Sequence, residues 1–205
     1  IEKVYIAYEK FKKENFYIDF DDMQVIALKL LNEDNRLLRS VKSKYKYIQL
    51  DEGQDTSLIQ FKILEKIVYP ENNLMVVADD DQSIYSFRAA NPDYLLNFKK
   101  IYPDSKILTM DENHRSQANI VIGSKNFIKQ NQNRFKKDLY TNHPATTPIR
   151  LARLKNSKDA YKYIISHLDS NKKTAILYRN NISSLNMVSF LLKDNRDFSI
   201  NNGSY

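Results

Sequence analysis

The chain has 205 residues, a formal net charge of +7 and 42% hydrophobic residues, enough to build one large domain or two small ones. It contains no cysteine and no apolar run of about 18 residues, so we expect no disulfide framework, no thiolate metal site and no membrane-spanning helix. The positive charge favours polyanionic partners, but a lysine-rich composition explains it equally well. The lack of cysteine agrees with a cytoplasmic location, and the initial Ile suggests a piece of a longer protein.

Helices are predicted where apolar residues recur at helical spacing. The first two cover residues 1–15 and 17–34, and Asp19 and Asp21 are candidate caps for the second. The remaining predicted helices cover 34–43, 55–68, 116–132, 157–169 and 183–195.

Strands are predicted between these helices, at residues 45–50, 73–79, 105–113, 148–154 and 174–180. The continuous apolar run NLMVVAD at 73–79 is typical of a strand buried on both faces of a parallel sheet. Strands that alternate with helices predict an α/β fold with a mainly parallel sheet. A polar, proline-bearing connection lies at 141–150.

Two predicted strands end in acidic clusters, DEGQD at 51–55 and DDDQ at 79–82. Ligands of open α/β sheets bind beyond the carboxyl ends of the strands, so we expect the two clusters to meet at one crevice. A carboxylate there can hold Mg²⁺ through water, and its neighbour can activate an attacking water. For Asp79 and Asp80 singly, a role as cap or turn residue is the favoured interpretation.

The stretch QSIYSFRAA at 82–90 places two aromatic residues and an arginine after the acidic turn. Aromatic rings stack on unpaired bases, and an arginine binds phosphate. Phe87 is an equally good candidate for the core, whereas a tyrosine in a polar turn, such as Tyr85, is less often fully buried.

Three segments, DEGQD, VADDDQSIYSFRAA and MDENHRSQANIV, resemble consecutive motifs of the UvrD/Rep/PcrA-like superfamily I DNA helicases. YIDFDDM resembles the family's entry into its first motor domain, and NQNRFKKDLYT and TAILYRNN resemble parts of its second. The resemblance covers nearly the whole chain, with the motifs in the family's order.

The resemblance implies roles in ATP hydrolysis. Asp51 would hold the Mg²⁺ of ATP through water, and Glu52 would activate the hydrolytic water. Gln82 would sense the γ-phosphate, and Arg115 would act as an arginine finger, which suits its planar and permanently charged guanidinium. Gln54 and His114 are further ATP-binding candidates, with His114 on the adenine.

The resemblance also implies that the partner is single-stranded DNA, or a junction of single- and double-stranded DNA, along which the family moves 3′ to 5′. The candidate DNA-binding residues are Tyr85, Phe87, Arg88, Tyr178 and Arg179. The implied fold is α/β, with two partial RecA-like P-loop NTPase lobes built on mainly parallel sheets. The resemblance also implies four domains. Residues 1–22 would end a helical accessory subdomain, and 23–105 would form the C-terminal part of lobe one. Residues 106–196 would form the N-terminal part of lobe two, and 197–205 would begin an inserted subdomain.

The sequence departs from the family pattern at three positions. Alanine stands where the family has glycine at 78 and 89, and would be strained at a positive φ. His114 stands where the family often has a tyrosine, so stacking on the base is expected to be weaker.

A phosphate-binding loop of the form GxxxxGK[ST] is absent from these 205 residues, because the three glycines precede Gln54, Ser124 and Ser204. The family has that loop upstream of DEGQD. We therefore expect the chain alone to lack ATPase activity. Because the chain would also lack neighbouring strands of each lobe, we expect it to self-associate through sheet edges left unpaired.

Two other functions remain open. Clustered acids also occur in metal-dependent nucleases, which would cleave DNA with Mn²⁺, although that class does not explain Gln54, Gln82 or Arg115. A non-catalytic nucleic-acid or partner-binding module fits the charge and the missing loop. A phosphate-binding loop in the upstream reading frame would favour the helicase.

Overall fold

The computed structural model describes residues 2–83 and 90–200. The chain divides into two compact units, Ile1–Thr147 and Pro148–Tyr205, and each is described by itself. No helix among the described residues is long and apolar enough to cross a membrane.

The first unit opens with three helices that confirm the predicted periodicity: α1 (Glu2–Glu14), α2 (Phe20–Glu33) and α3 (Asn35–Lys44). Asp19 caps α2 in a reciprocal capping box with Asp22, as the sequence predicted for this position. Asp34 ends α2, and its side chain accepts the first backbone N–H groups of α3. Local hydrogen bonding therefore sets the bounds of these helices.

A buried lysine joins α1 to α2. The ammonium group of Lys12 lies 2.8 Å from Glu9, 2.9 Å from Asp19 and 2.8 Å from Asp22. Exclusion of solvent opposes the charge of Lys12, but its hydrogen bonds to the three carboxylates outweigh that cost and raise its pKa. The three acids are spaced like metal ligands, yet an ammonium group already lies among them.

A βαβ unit follows. Strands β1 (Ile48–Leu50) and β2 (Leu74–Val76) pair in parallel, with Ile48 opposite Leu74 and Leu50 opposite Val76. Helix α4 (Leu58–Val68) connects them and begins at a capping box between Ser57 and Gln60. The prediction of an α/β fold with parallel strands is confirmed at this scale.

The core of the first unit is built around Phe61 of α4, which is fully buried. Its ring stacks on Tyr94 at 3.7 Å between centroids, and Leu95, Leu50 and Val76 complete the cluster. Tyr94 and Leu95 lie on α5 (Pro92–Leu96), which precedes α6 (Phe98–Ile101). Neither short helix was predicted, although Asn91 before Pro92 is a typical helix start.

Three of the predicted strands, 105–113, 148–154 and 174–180, are not strands in the structure. A single bridge, between Glu112 and Tyr140, is all the pairing described in these segments. Their local sequences favour strands, but a strand exists only where a second strand accepts its hydrogen bonds. The mainly parallel sheet is thus reduced, among the described residues, to the pair β1 and β2.

The expectation that strand 73–79 is buried on both faces is also wrong. Met75 is 55% exposed and Val77 is 45% exposed, while Leu74 and Val76 are partly buried. One face of β2 packs on the core around Phe61, and the other is open to solvent.

Helix α7 (Ala118–Ile128) belongs to the first unit. In the second unit, α8 (Ser157–Ser166) and α9 (Asn181–Lys193) pack together, with Tyr161 and Phe190 at 5.4 Å between ring centroids. Asn156 and Asn180 cap the two helices. The predicted helices in these regions are confirmed.

Candidate nucleotide-hydrolysis site

The carboxyl ends of β1 and β2 lie side by side because the strands are parallel neighbours. The backbone pairing continues past both strands, since Val77 N donates to Leu50 O at 2.8 Å and Gly53 N donates to Val77 O at 3.0 Å. The acids after β1 and those after β2 are thereby held at one edge, as the sequence analysis expected.

Gly53 is the residue that allows this close approach. A Cβ atom at this position would lie 2.7 Å from Val76 Cγ1 and 3.3 Å from Ala78 Cβ, so no larger residue fits unless these side chains move. The preceding residue, Glu52, has a φ of 51°, in the left-handed region that costs a non-glycine residue about 1 kcal/mol or more. Such strain is typical of a side chain held in a functional orientation.

Gln54 links the two acidic segments. It is 2% exposed; its Nε2 donates to Glu52 Oε2 at 2.6 Å, and its Oε1 accepts from Asp79 N at 3.0 Å. A buried amide needs both partners to be satisfied, so Glu52 and the start of the second segment are connected through one side chain.

Asp51 and Glu52 both remain exposed. Asp51 Oδ1 accepts from Glu52 N at 2.9 Å, which orients the carboxylate on the outside of the turn. An exposed carboxylate of this kind fits a Mg²⁺ ion held through water rather than one enclosed by protein ligands. The roles of Asp51 with a cation and of Glu52 with a water molecule stay predictions.

The three acids after β2 are instead occupied by basic residues. Lys137 Nζ lies 2.6 Å from Asp79, 2.6 Å from Asp80 and 3.2 Å from Asp81. Arg134 Nε and Nη2 each donate to a different oxygen of Asp81 at 2.6 Å, which is the bidentate geometry of strong pairs. We call Arg134 and Lys137 the basic clasp.

The basic clasp determines whether the three acids bind a metal ion or hold a neighbouring segment in place. The oxygens of Asp79, Asp80 and Asp81 lie within 4.8 Å of one another, a spacing that could hold a metal ion. The ammonium of Lys137 lies among them, and Phe135 N also donates to Asp80 Oδ2 at 2.7 Å. The acids therefore act here as anchors for the segment that carries the clasp.

Ionisation of the anchoring acids is favoured by the clasp. Burial opposes the charge of Asp79 and Asp81, but hydrogen bonds from Lys137 and Gln82 to Asp79, and from Arg134 and Lys137 to Asp81, outweigh it. The pKa of each carboxyl group consequently lies below the ordinary aspartate value. Burial likewise opposes the charge of Lys137, and its hydrogen bonds to the acids raise its pKa.

Gln82, the predicted γ-phosphate sensor, is exposed and close to the same acids. Its Nε2 donates to Asp79 Oδ2 at 2.7 Å, while Lys137 donates to Asp79 Oδ1 at 2.6 Å. The side chain of Asp79 is thus shared between the candidate sensor and the clasp.

His114 and Arg115 lie on a turn that leads into α7. Asn113 Oδ1 accepts from Arg115 N at 3.0 Å and from Ser116 N at 2.7 Å, and both His114 and Arg115 expose their side chains. No hydrogen bond or ion pair in the described part of the chain joins either of them to Glu52. Their roles with ATP stay predictions.

The candidate DNA-binding residues fall in two places. Tyr85, Phe87 and Arg88 lie outside the described residues, as does Ala89. Tyr178 is 41% exposed and Arg179 is exposed, both in the second unit.

At Ala78 the strain considered for an alanine in place of glycine is absent, because its backbone does not adopt a positive φ.

The basic clasp was not predicted from the sequence. NQNRFKKDLYT was noted only for its family resemblance, although three consecutive acids require positive partners when they are partly buried. Arg134 follows Asp81 by 53 residues, and nothing in the local pattern of either segment predicts that they meet.

The family model that matches this chain and three of its relatives are all named as helicases. Residues 1–103, half of the chain, match the family model described as the UvrD/REP helicase N-terminal domain. The chain is 32% identical to an ATP-dependent DNA helicase PcrA of Leuconostoc citreum, over 99% of this chain and 28% of that protein. It is 35% identical to an ATP-dependent DNA helicase Rep of Buchnera aphidicola, over 94% of this chain and 30% of that protein.

A third relative, the putative ATP-dependent DNA helicase YjcD of Bacillus subtilis, is 42% identical over 67% of this chain and 18% of its own length. The chain thus spans less than a third of each of these three relatives. The match over residues 1–103 includes β1, β2 and the acidic segments that follow them. The chain belongs to the UvrD/Rep helicase family.

Proposed function

We propose that this chain is part of an ATP-dependent DNA helicase and contributes its water-activating and phosphate-sensing residues. The observation that carries the proposal is the connection at the edge of the sheet, in which Gln54 joins Glu52 to Asp79 and Asp79 holds Gln82. The relatives named as ATP-dependent DNA helicases support the same reaction.

In this proposal Glu52 accepts the proton of the water that attacks the γ-phosphate. Its left-handed backbone and its hydrogen bond from Gln54 hold the carboxylate beyond the end of β1. General-base catalysis of this kind contributes about 10²–10⁴-fold to a rate. Asp51 would hold Mg²⁺ through water, and the ion would neutralise phosphate charge.

The other proposed nucleotide contacts come from side chains that are exposed in the structure. Gln82 would contact the γ-phosphate while Asp79 fixes its amide. Arg115 would reach the same phosphate from the turn before α7, and His114 would lie on the adenine. Gln54, predicted to bind ATP, is instead buried, and would act near the nucleotide by holding Glu52 through its hydrogen bond.

The proposed substrate is single-stranded DNA, or a junction of single- and double-stranded DNA, with movement from 3′ to 5′. Tyr85, Phe87 and Arg88 would contact unpaired bases and phosphates, and Tyr178 and Arg179 would do so from the second unit. These residues would lie in two partial RecA-like lobes, covering 23–105 and 106–196, after the end of an accessory subdomain at 1–22. Residues 197–205 would begin an inserted subdomain.

The proposal is tested in the full-length protein that contains this chain. Glu52→Gln should lower the DNA-stimulated ATPase rate by about 10²-fold or more, because the amide cannot accept the proton. Glu71→Gln makes the same chemical change at an exposed turn after α4, and should leave the rate unchanged. An equal rate in wild type and Glu52→Gln would contradict the proposal.

The 205-residue chain alone provides a second measurement. It has no Gly-Lys pair to bind the β- and γ-phosphates, so we propose that it turns over no ATP. ATP turnover by the chain that is lost in Glu52→Gln would show this part of the proposal to be wrong. DNA cleavage by the chain with Mn²⁺ would favour a nuclease instead.

A further inference from the structure

The basic clasp reaches the hydrolysis site through one shared carboxylate. Lys137 donates to Asp79 Oδ1, and Gln82 donates to Asp79 Oδ2. The backbone N–H of the same aspartate donates to Gln54, which in turn donates to Glu52. Every contact along this path is between 2.6 and 3.0 Å.

The charged groups of the basic clasp and of its acidic partners are mostly buried. The side chains of Lys137, Arg134 and Asp81 are 12%, 13% and 10% exposed, and that of Asp80 is 5% exposed. Partly buried charges persist only when they are paired, so separating the clasp from the acids is costly. The turn that carries Gln82 is therefore fixed to the segment around residues 134–137 rather than free in solvent.

We propose that Lys137 is a positioning residue for ATP hydrolysis, which acts through Asp79 to hold the amide of Gln82, with Arg134 fixing the same turn through Asp81. This inference rests on the proposed function, because it assigns the clasp to the hydrolysis reaction. Lys137 itself touches no reacting atom. Its removal leaves Asp79 Oδ1 with only the 3.2 Å hydrogen bond from the backbone N–H of Asp81, and leaves the acids without their shared cation. Asp79 then holds the amide of Gln82 less firmly.

The proposal predicts a specific pattern of rates in the full-length protein. With saturating single-stranded DNA, Lys137→Met should lower kcat about tenfold or more, since a misplacement of about 1 Å costs up to about 10²-fold. The KM for ATP should change much less. The double variant Lys137→Met/Gln82→Ala should be no slower than Gln82→Ala alone, because residues that act as a unit are not additive.

Matched variants separate positioning from general damage. Lys136→Met removes the adjacent, exposed lysine and should leave kcat unchanged, and Lys137→Arg should keep most of the activity. The proposal is overturned if Lys137→Met has the wild-type kcat, or if its effect multiplies with that of Gln82→Ala. If Lys137→Met does not fold, Lys137→Gln takes its place in the same cycle.

A measurement without catalysis distinguishes this inference from the proposed function. If the wild-type protein shows no DNA-stimulated ATPase, the proposed function fails, and hydrogen–deuterium exchange of peptides covering 79–83 still tests the clasp. Faster exchange in Lys137→Met, and not in Lys136→Met, supports the positioning of this turn. Equal exchange in both variants overturns it.

Discussion

At the scale of single residues, the site depends on two unusual positions that follow β1. Glu52 has a left-handed backbone, and Gly53 brings its Cα against β2 where a Cβ would meet Val76. The sequence shows an acid and a glycine in that order, but the reason for each is a contact with the neighbouring strand. Gly53 is one of only three glycines in the chain, and its close contact with β2 is the reason for a glycine here.

Replacing Gly53 by alanine is expected to destabilise the protein by about 1–3 kcal/mol, the usual cost of forcing an extra carbon into a packed site. The added Cβ would lie 2.7 Å from Val76 Cγ1. Urea unfolding followed by circular dichroism measures the change. Gly123→Ala, on the exposed face of α7, should instead raise stability by about 0.5–1 kcal/mol. Similar effects at both positions would contradict the packing argument.

The charges of the clasp predict how stability depends on pH. The pKa values of Asp79 and Asp81 are lowered in the folded state, so their contribution is fully present above about 3.9, the value of an unfolded aspartate, and is lost as the pH falls through the folded values. The raised pKa of Lys137 has the opposite sign, and its contribution is lost only as the pH rises above about 10.4.

We therefore expect the free energy of unfolding to decrease between pH 7 and acidic pH by less in Lys137→Met than in wild type. Without the ammonium group, the acids lose a partner that favours their charged form, so protonation costs less stability. Urea midpoints at neutral and strongly acidic pH give the comparison, and Lys136→Met should behave as wild type. Identical pH dependence in Lys137→Met and wild type would argue against the clasp.

At the scale of elements, one βαβ unit positions the site. Helix α4 connects the two strands and presents Phe61 to their shared face, where α5 covers it with Tyr94. The hydroxyl of Tyr94 donates to Glu65 Oε1 at 2.7 Å, so the covering helix is tied back to α4. Burial, together with the contacts to Tyr102 and Glu65, raises the pKa of Tyr94, which keeps this hydroxyl protonated.

Phe61→Ala is expected to lower the free energy of unfolding by about 3–5 kcal/mol, because it removes a fully buried ring and leaves a cavity. Leu58→Ala on the same helix is the control, since Leu58 is 45% exposed and its loss should cost far less. Denaturant unfolding of both variants tests the assignment of the core. A smaller loss for Phe61→Ala than for Leu58→Ala would place the core elsewhere.

At the scale of the whole molecule, much apolar surface stays in contact with solvent. In the first unit Val4, Phe16 and Phe20 are 73%, 95% and 85% exposed, and within the described residues no strand lies beside the outer edges of β1 and β2. Exposed edges and apolar side chains both promote association. The second unit also exposes large side chains, among them Leu177 at 92%.

The 205-residue chain is accordingly expected to self-associate. Light scattering after size exclusion should give a mass above the 24.2 kDa of one chain, rising with concentration. Phe16→Ser/Phe20→Ser should shift the distribution towards the monomer by removing apolar surface, whereas Asn15→Ser should not. A monomer at every concentration tested would refute this expectation.

The sequence alone predicted the elements whose signals are local. Apolar periodicity indicated the helices, with Asp19 as a candidate cap, and the apolar runs before Asp51 and Asp79 indicated β1 and β2 with their acids. The resemblance of DEGQD and DDDQSIY to a helicase family was confirmed, because short motifs carry their chemistry in consecutive residues.

Only the tertiary structure decided which distant segments meet. The segments 105–113, 148–154 and 174–180 have the composition of strands. Among the described residues only the bridge between Glu112 and Tyr140 pairs any of them, and none becomes a strand. Asp79 caps the turn at 80–82, as the sequence predicted for a cap or turn residue. The three acids also anchor the clasp, because Lys137 and Arg134 approach them from more than fifty residues away. Pairing across such a distance depends on how the whole chain packs, which no local pattern of residues contains.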